Sequence, residues 1–123
     1  MKLNIERRYD QKNRLIYELA GTTEKITKYD ENYNIIYHKD WNIKSGEIWV
    51  EYIREFDEKN NLIHFKDFEN MTEYWLDYDN KNRMIAQRFS NGEATIYEYD
   101  ENDNIIRELN EKGEVEIEYT NIY

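Results

Sequence analysis

One eight-residue phrase occurs five times in this chain and restricts its fold more than any other feature. The copies are Tyr9-Asp10-Gln11-Lys12-Asn13-Arg14-Leu15-Ile16, Tyr29-Asp30-Glu31-Asn32-Tyr33-Asn34-Ile35-Ile36, Phe56-Asp57-Glu58-Lys59-Asn60-Asn61-Leu62-Ile63, Tyr78-Asp79-Asn80-Lys81-Asn82-Arg83-Met84-Ile85 and Tyr99-Asp100-Glu101-Asn102-Asp103-Asn104-Ile105-Ile106. Each has an aromatic, an Asp, three turn residues, Asn or Arg, and two aliphatics. Successive copies lie 20, 27, 22 and 21 residues apart. A period in this range marks a repeat architecture, in which each unit buries its apolar surface only against its neighbours.

The phrase reads as a hairpin bend. Its Asp can accept a bond from the backbone two residues on. The residue three after it must take a left-handed conformation in a three-residue loop with a bulge. Asn13, Asn60, Asn82 and Asp103 suit that position best among non-glycine residues. Tyr33 does not, so the second bend is expected to differ. Between phrases the chain turns again near Gly21, Gly46, Gly92 and Gly113, with Asn70 standing in for glycine in the third unit. The segments between turns alternate. Tyr74, Leu76 and Tyr78 share one face with Tyr97 and Tyr99, and Glu73, Trp75 and Asp77 share the other with Ile96 and Glu98. No segment sustains a helical apolar spacing. The expectation is an all-β antiparallel meander of about five hairpins in a single domain over residues 1–123. Such a sheet must twist, staying open or closing partly into a barrel.

The phrase resembles the YD repeat of Rhs-type proteins, and the resemblance spans residues 9–119, with Tyr119 opening a truncated sixth unit. The departure is at the turn, where Asn, Asp or Tyr replaces the usual glycine. The resemblance implies a β-sheet repeat fold and an association with toxin systems.

Composition limits the chemistry. The chain has no Cys, so disulfides and thiolate metal sites are excluded. The N-terminal residues lack the apolar run of a signal peptide, so a cytoplasmic protein is expected. The net charge is -10. Residues 93–123 hold two basic and ten acidic groups, a net of -8. Nucleic acid and anionic membranes are therefore poor partners, and a basic protein is a good one. No catalytic constellation stands out: His38 and His64 fall on opposite faces of equivalent strands, and neither Ser45 nor Ser90 is placed to pair with them. Asp100, Asn102, Asn104 and Glu111 echo a calcium loop, but Ile105 stands where that loop needs glycine. Neither catalysis, metal nor cofactor is expected.

Three features remain for binding. The longest unit carries Trp41 in its extra loop, beside Trp49, which is expected in the core. Trp75 lies on an acidic row with Glu73 and Asp77, a row that Glu51, Glu55 and Glu98 extend on equivalent strands. Glu111, Glu114, Glu116 and Glu118 make the last segment strongly negative. Together with the resemblance, these features lead to the expectation of a small immunity protein. It would occlude the basic cleft of a bacterial toxin, a nuclease above all, with a Trp as apolar anchor. The alternative is a carbohydrate- or cell-surface-binding module, which needs a row of exposed aromatics.

Overall fold

The computed structural model of the chain describes residues 2–123. These residues form eleven strands and no helix. The strands are β1 (Ile5–Tyr9), β2 (Leu15–Ala20), β3 (Thr23–Tyr29), β4 (Ile35–Asn42), β5 (Ile48–Phe56), β6 (Leu62–Asp67), β7 (Thr72–Tyr78), β8 (Met84–Phe89), β9 (Ala94–Tyr99), β10 (Ile105–Asn110) and β11 (Val115–Glu118). Their spatial order is the chain order, without a crossover. Contacts gather into two compact units, one of residues 1–72 and one of residues 73–123. Each is an antiparallel meander. In the first, β1 pairs only with β2, and in the second β11 pairs only with β10, so neither unit closes into a barrel.

The repeated phrase builds the same bend five times. In each copy the Asp N–H donates to the carbonyl four residues on, and the N–H three residues on donates back to the Asp carbonyl. The bend at Asp10 shows the side-chain scheme. Its Oδ1 accepts from the backbone of Lys12 and Arg14, and its Oδ2 from Arg14 Nε at 2.7 Å. Asp30, Asp57 and Asp79 repeat it, with Asn34, Asn61 and Arg83 in the place of Arg14. The left-handed position is taken by Asn13, Asn60, Asn82 and Asp103, with φ between 61° and 66°. Tyr33 takes it too, at φ 67°, so the second bend does not differ from the others. Tyr33 N–H donates to the Asp30 carbonyl as the Asn residues do elsewhere. The strain of a bulky side chain in this region is met by packing: Lys12 and Arg14 both lie over the Tyr33 ring.

The phrase also joins one repeat to the next within a unit. Arg14 bonds its own Asp10, lies over the Tyr29 ring and donates to the Asp30 carbonyl. Tyr29 in turn donates to the Leu15 carbonyl at 3.0 Å. Arg83 does the same for the last phrase, over Tyr99 and onto Asp103, and Tyr99 donates to the Met84 carbonyl. Asn34, ahead of the hydroxyl-free Phe56, reaches Asn60 instead.

The opposite turns use glycine. Gly92 and Gly113, at φ 92° and 80°, occupy the left-handed site of bends closed by Phe89 and Asn110. The turn at residues 67–72 departs from expectation. Met71, not Asn70, adopts positive φ, and Asn70 instead accepts the Thr72 N–H through its side chain. The short amide side chain is worth more there as an acceptor than as an occupant of the left-handed site.

Ala86, at 3% exposure, is the one buried hydrophobic residue among those described. Both faces of each unit are half-buried rather than split into core and solvent sides. Stability therefore rests on cross-strand pairs and on the bonds within and between bends.

Candidate functional site

Trp41 projects on the face of β4 that also carries Tyr37 and Lys39. Its indole N–H donates to Glu24 Oε1 at 2.8 Å, Tyr17 donates to the other oxygen of Glu24, and Lys39 lies over the ring at 4.1 Å. Trp41 is thus half-buried and tethered by its neighbours. The hydrogen bond to Glu24 raises the Tyr17 pKa. Glu51 accepts a 2.7 Å bond from Tyr37, whose pKa is pushed up to about 12 by burial first and then by that bond. Glu55 is held by His64 Nδ1 at 2.9 Å.

Trp49 is 45% exposed and not in the core. It is the extra residue of a bulge, because Asp40 pairs with Val50 and Trp41 with Ile48. A bulged residue has no partner across the ladder and re-aims its side chain. Phe68, opposite Glu51, and Ile43 are exposed as well, in the turns after β6 and β4.

In the second unit Trp75 is 40% exposed, opposite Arg88, on the face shared with Glu73 and Asp77. The acidic row here is laced with cations. Arg88 Nε lies 2.8 Å from Asp77, and Arg107 Nε lies 2.9 Å from Glu98. The bond to Glu98 raises the pKa of Arg107, and the nearby charge of Glu118 adds to it more weakly.

The C-terminal carboxylates differ. An open hollow of about 240 Å³ lies between the turns after β8 and β10. Its lining includes Phe89, Glu93, Thr95, Asn110, Glu111 and Glu116. Glu111 accepts weakly from the Ala94 N–H at 3.4 Å. Glu93, Glu114 and Glu116 have no ion pair among the described residues. The structure therefore brings Glu111 and Glu116 together and adds Phe89 and Glu93, which the sequence reading missed. The signal was available: both turns fall on the same side of the meander, so residues flanking Gly92 and Gly113 must be neighbours. Trp75, Asp77 and Glu98 lie on the Arg-laced face, apart from this group. Trp41, Glu51 and Glu55 belong to the other unit.

A second arrangement was also missed. Thr27 Oγ1 lies 2.9 Å from His38 Nδ1, and His38 Nε2 lies 2.7 Å from Asp40 Oδ1. The approach of Asp40 to His38 is a close contact without hydrogen-bond geometry, and the buried Asp40 Oδ1 has no hydrogen-bond partner. The line ties β3 to β4. The register pairs Thr27 with His38, and places His64 on the opposite face, as expected. Asp100, the start of the calcium-like segment, spends its oxygens on the N–H groups of Asn102 and Asn104 and on Asn121 and Tyr123.

No protein-family model matches the chain, and no curated protein does. Solved structures do match. The crystal structure of TcdB2-TccC3-Cdc42 is 16% identical with a TM-score of 0.67, covering 85% of this chain and 7% of that one. The crystal structure of TcdB2-TccC3-TEV is 15% identical with a TM-score of 0.68, covering 88% and 7%. The likeness is one of fold, that of an Rhs-like repeat. The chain spans a small fraction of the length of the chains it matches.

Proposed function

We propose that this chain is a binding protein for a basic partner, of the immunity type, which acts in the cytoplasm by occluding the phosphate-gripping cleft of a toxin nuclease. The observation that carries the reading is the hollow lined by Glu93, Glu111 and Glu116 with Phe89 in its wall. A lysine or arginine side chain inserted there would meet carboxylates at its tip and an aromatic along its stem. The second unit supports it by charge: residues 73–123 hold five basic and thirteen acidic groups, a net of -8. Occlusion requires no catalytic group of its own. The test is co-purification with the product of the adjacent reading frame, followed by association kinetics. Association should slow by about tenfold or more between low and physiological salt. Glu111→Lys with Glu116→Lys should slow it further. Failure to retain any basic protein, or kinetics indifferent to both changes, overturns the reading.

One observation favours a second reading. Half-buried Trp41 on β4, exposed Trp49 on β5 and exposed Phe68 in the turn after β6 give the first unit aromatic surface of the kind on which sugar rings stack. Glycan-array binding that is lost in Trp49→Ala, with Glu111→Lys unaffected, would select it instead.

A further inference from the structure

We propose that copies of this chain associate head to tail, β1 of one pairing with β11 of the next. Both strands use one backbone edge only: β1 pairs with β2, β11 with β10. They are also the two strands in which every residue is exposed. A strand in that condition presents a row of free N–H and C=O groups, and charge on it is the usual protection against pairing.

Here the protection is selective. β1 carries Arg7 and Arg8 against Glu6, whereas β11 carries Glu116 and Glu118 and no cation. β1 carries one net positive charge and β11 two net negative charges. Two copies of β1 therefore repel weakly, two of β11 more strongly, and β1 against β11 is the one pairing whose net charges attract. The internal partners of the arginines leave donors over. Arg7 bonds Glu18 through Nε, and Arg8 bonds Glu6 through one terminal nitrogen, while both side chains remain more than half exposed. The apolar residues match as well: Ile5 and Tyr9 on β1 and Val115 and Ile117 on β11 are all exposed, and would be covered together. The contact is heterologous, so it propagates as a ring or a filament. A single added strand pair is a small interface, which places the association in the weak range. Glu116 also lines the acidic hollow, but the partner here is a second copy of this chain, and Arg8→Glu separates the two readings because it leaves the hollow untouched.

Sedimentation velocity on the purified chain tests it. At low salt the weight-average sedimentation coefficient should rise with concentration, and at about 0.5 M salt it should return to the monomer value because screening at that strength shortens the reach of the charges. Arg8→Glu alone and Glu118→Arg alone should each weaken association. An equimolar mixture of the Arg7→Glu/Arg8→Glu and Glu116→Arg/Glu118→Arg variants should regain it, because each supplies the charge the other lacks. Circular dichroism confirms that each variant is folded, and the salt series on the unchanged chain needs no variant. A monomer at every concentration, association indifferent to salt, or variants that associate as the unchanged chain does would overturn the proposal.

Discussion

In the second unit the two rows of turns share one backbone scheme and differ in what is attached to it. On the phrase side the bend closes around an Asp, its left-handed residue is never glycine, and its sixth residue reaches the next bend at Arg14, Asn34 and Arg83. On the other side Asn110 takes the place of Asp and accepts the N–H groups of Lys112 and Glu114, but Gly113 holds the left-handed site. Phe89 closes its bend with no side-chain acceptor at all, leaving that task to Asn91. The phrase row is wired from repeat to repeat by half-buried Arg and Asn side chains. The other row has fewer links, from Asn42 and Ile43 to Thr22 and weakly from Ala94 to Glu111. Bends with fewer links can vary with less disturbance to their neighbours. The longest insertion, at residues 43–46, and the acidic hollow both lie on that side.

Acid should separate the rows most strongly. Bonds to the charged form hold the carboxyls of the phrase Asp residues below their usual range. The backbone bond from the residue four on leads at Asp10, Asp57 and Asp79. At Asp100 the Tyr123 hydroxyl leads. At Asp30 burial is the largest influence and opposes the shift, but the bonds from Asn34 and Asn32 together outweigh it. A depressed folded pKa contributes stability that is present above the unfolded value, near 3.9, and is lost as pH falls through the folded values. Discharging the net -10 works the other way between pH 7 and 5. The thermal midpoint should therefore be highest near pH 5 and fall by about 15 °C or more by pH 2.5. Calorimetry across that range checks it. The double variant Asp57→Asn/Asp79→Asn should have a flatter acid limb, and an unchanged limb would mean the phrase carboxylates are not its source.

Single substitutions compare the rows directly. Asp79→Ala removes the acceptor of the Lys81 and Arg83 N–H groups and frees Arg83 from its 2.8 Å bond. Asn110→Ala removes two backbone acceptor bonds and no link to another repeat. The midpoint should drop by about 8 °C for the first and about 3 °C for the second. Equal losses would deny that wiring between repeats matters. Gly113→Ala should come next, costing about 1 kcal/mol, because the site has open space for a Cβ but a φ of 80°. A loss several times larger would show the bend to be coupled to β10 and β11 after all.

The octad made the hairpins, their order and the left-handed asparagines legible, because each depends on residues close in sequence. What the sequence reading missed depends on register. Trp49 follows the same alternation as a core residue, and only the bulge against Asp40 and Trp41 exposes it. Thr27 becomes the partner of His38, and Glu24 that of Trp41, only when the bend between them fixes which residues stand opposite. The same holds for Arg88 with Asp77 and Arg107 with Glu98, which turn an apparent acidic row into an alternating one.

Tyr33 offers the smallest and most exacting test of how the phrase row manages without glycine. Three copies place Asn at this site, a fourth Asp, and Tyr33 alone is large. Its left-handed φ carries a penalty of about 1 kcal/mol relative to Asn. Against that, Lys12 lies 5.5 Å and Arg14 4.9 Å from the ring centre, and each such exposed contact contributes about 0.5 kcal/mol. The two nearly cancel, so Tyr33→Asn should change stability by less than about 0.5 kcal/mol. The cancellation can be opened from the other side. In the Lys12→Gln background one contact is already gone, so Tyr33→Asn should become stabilising by about 0.5 kcal/mol. Chemical denaturation of the four proteins of this cycle checks both values. If Tyr33→Asn is equally neutral in both backgrounds, the ring is not held by the cations, and the strain at this bend is relieved by something other than the neighbouring phrase.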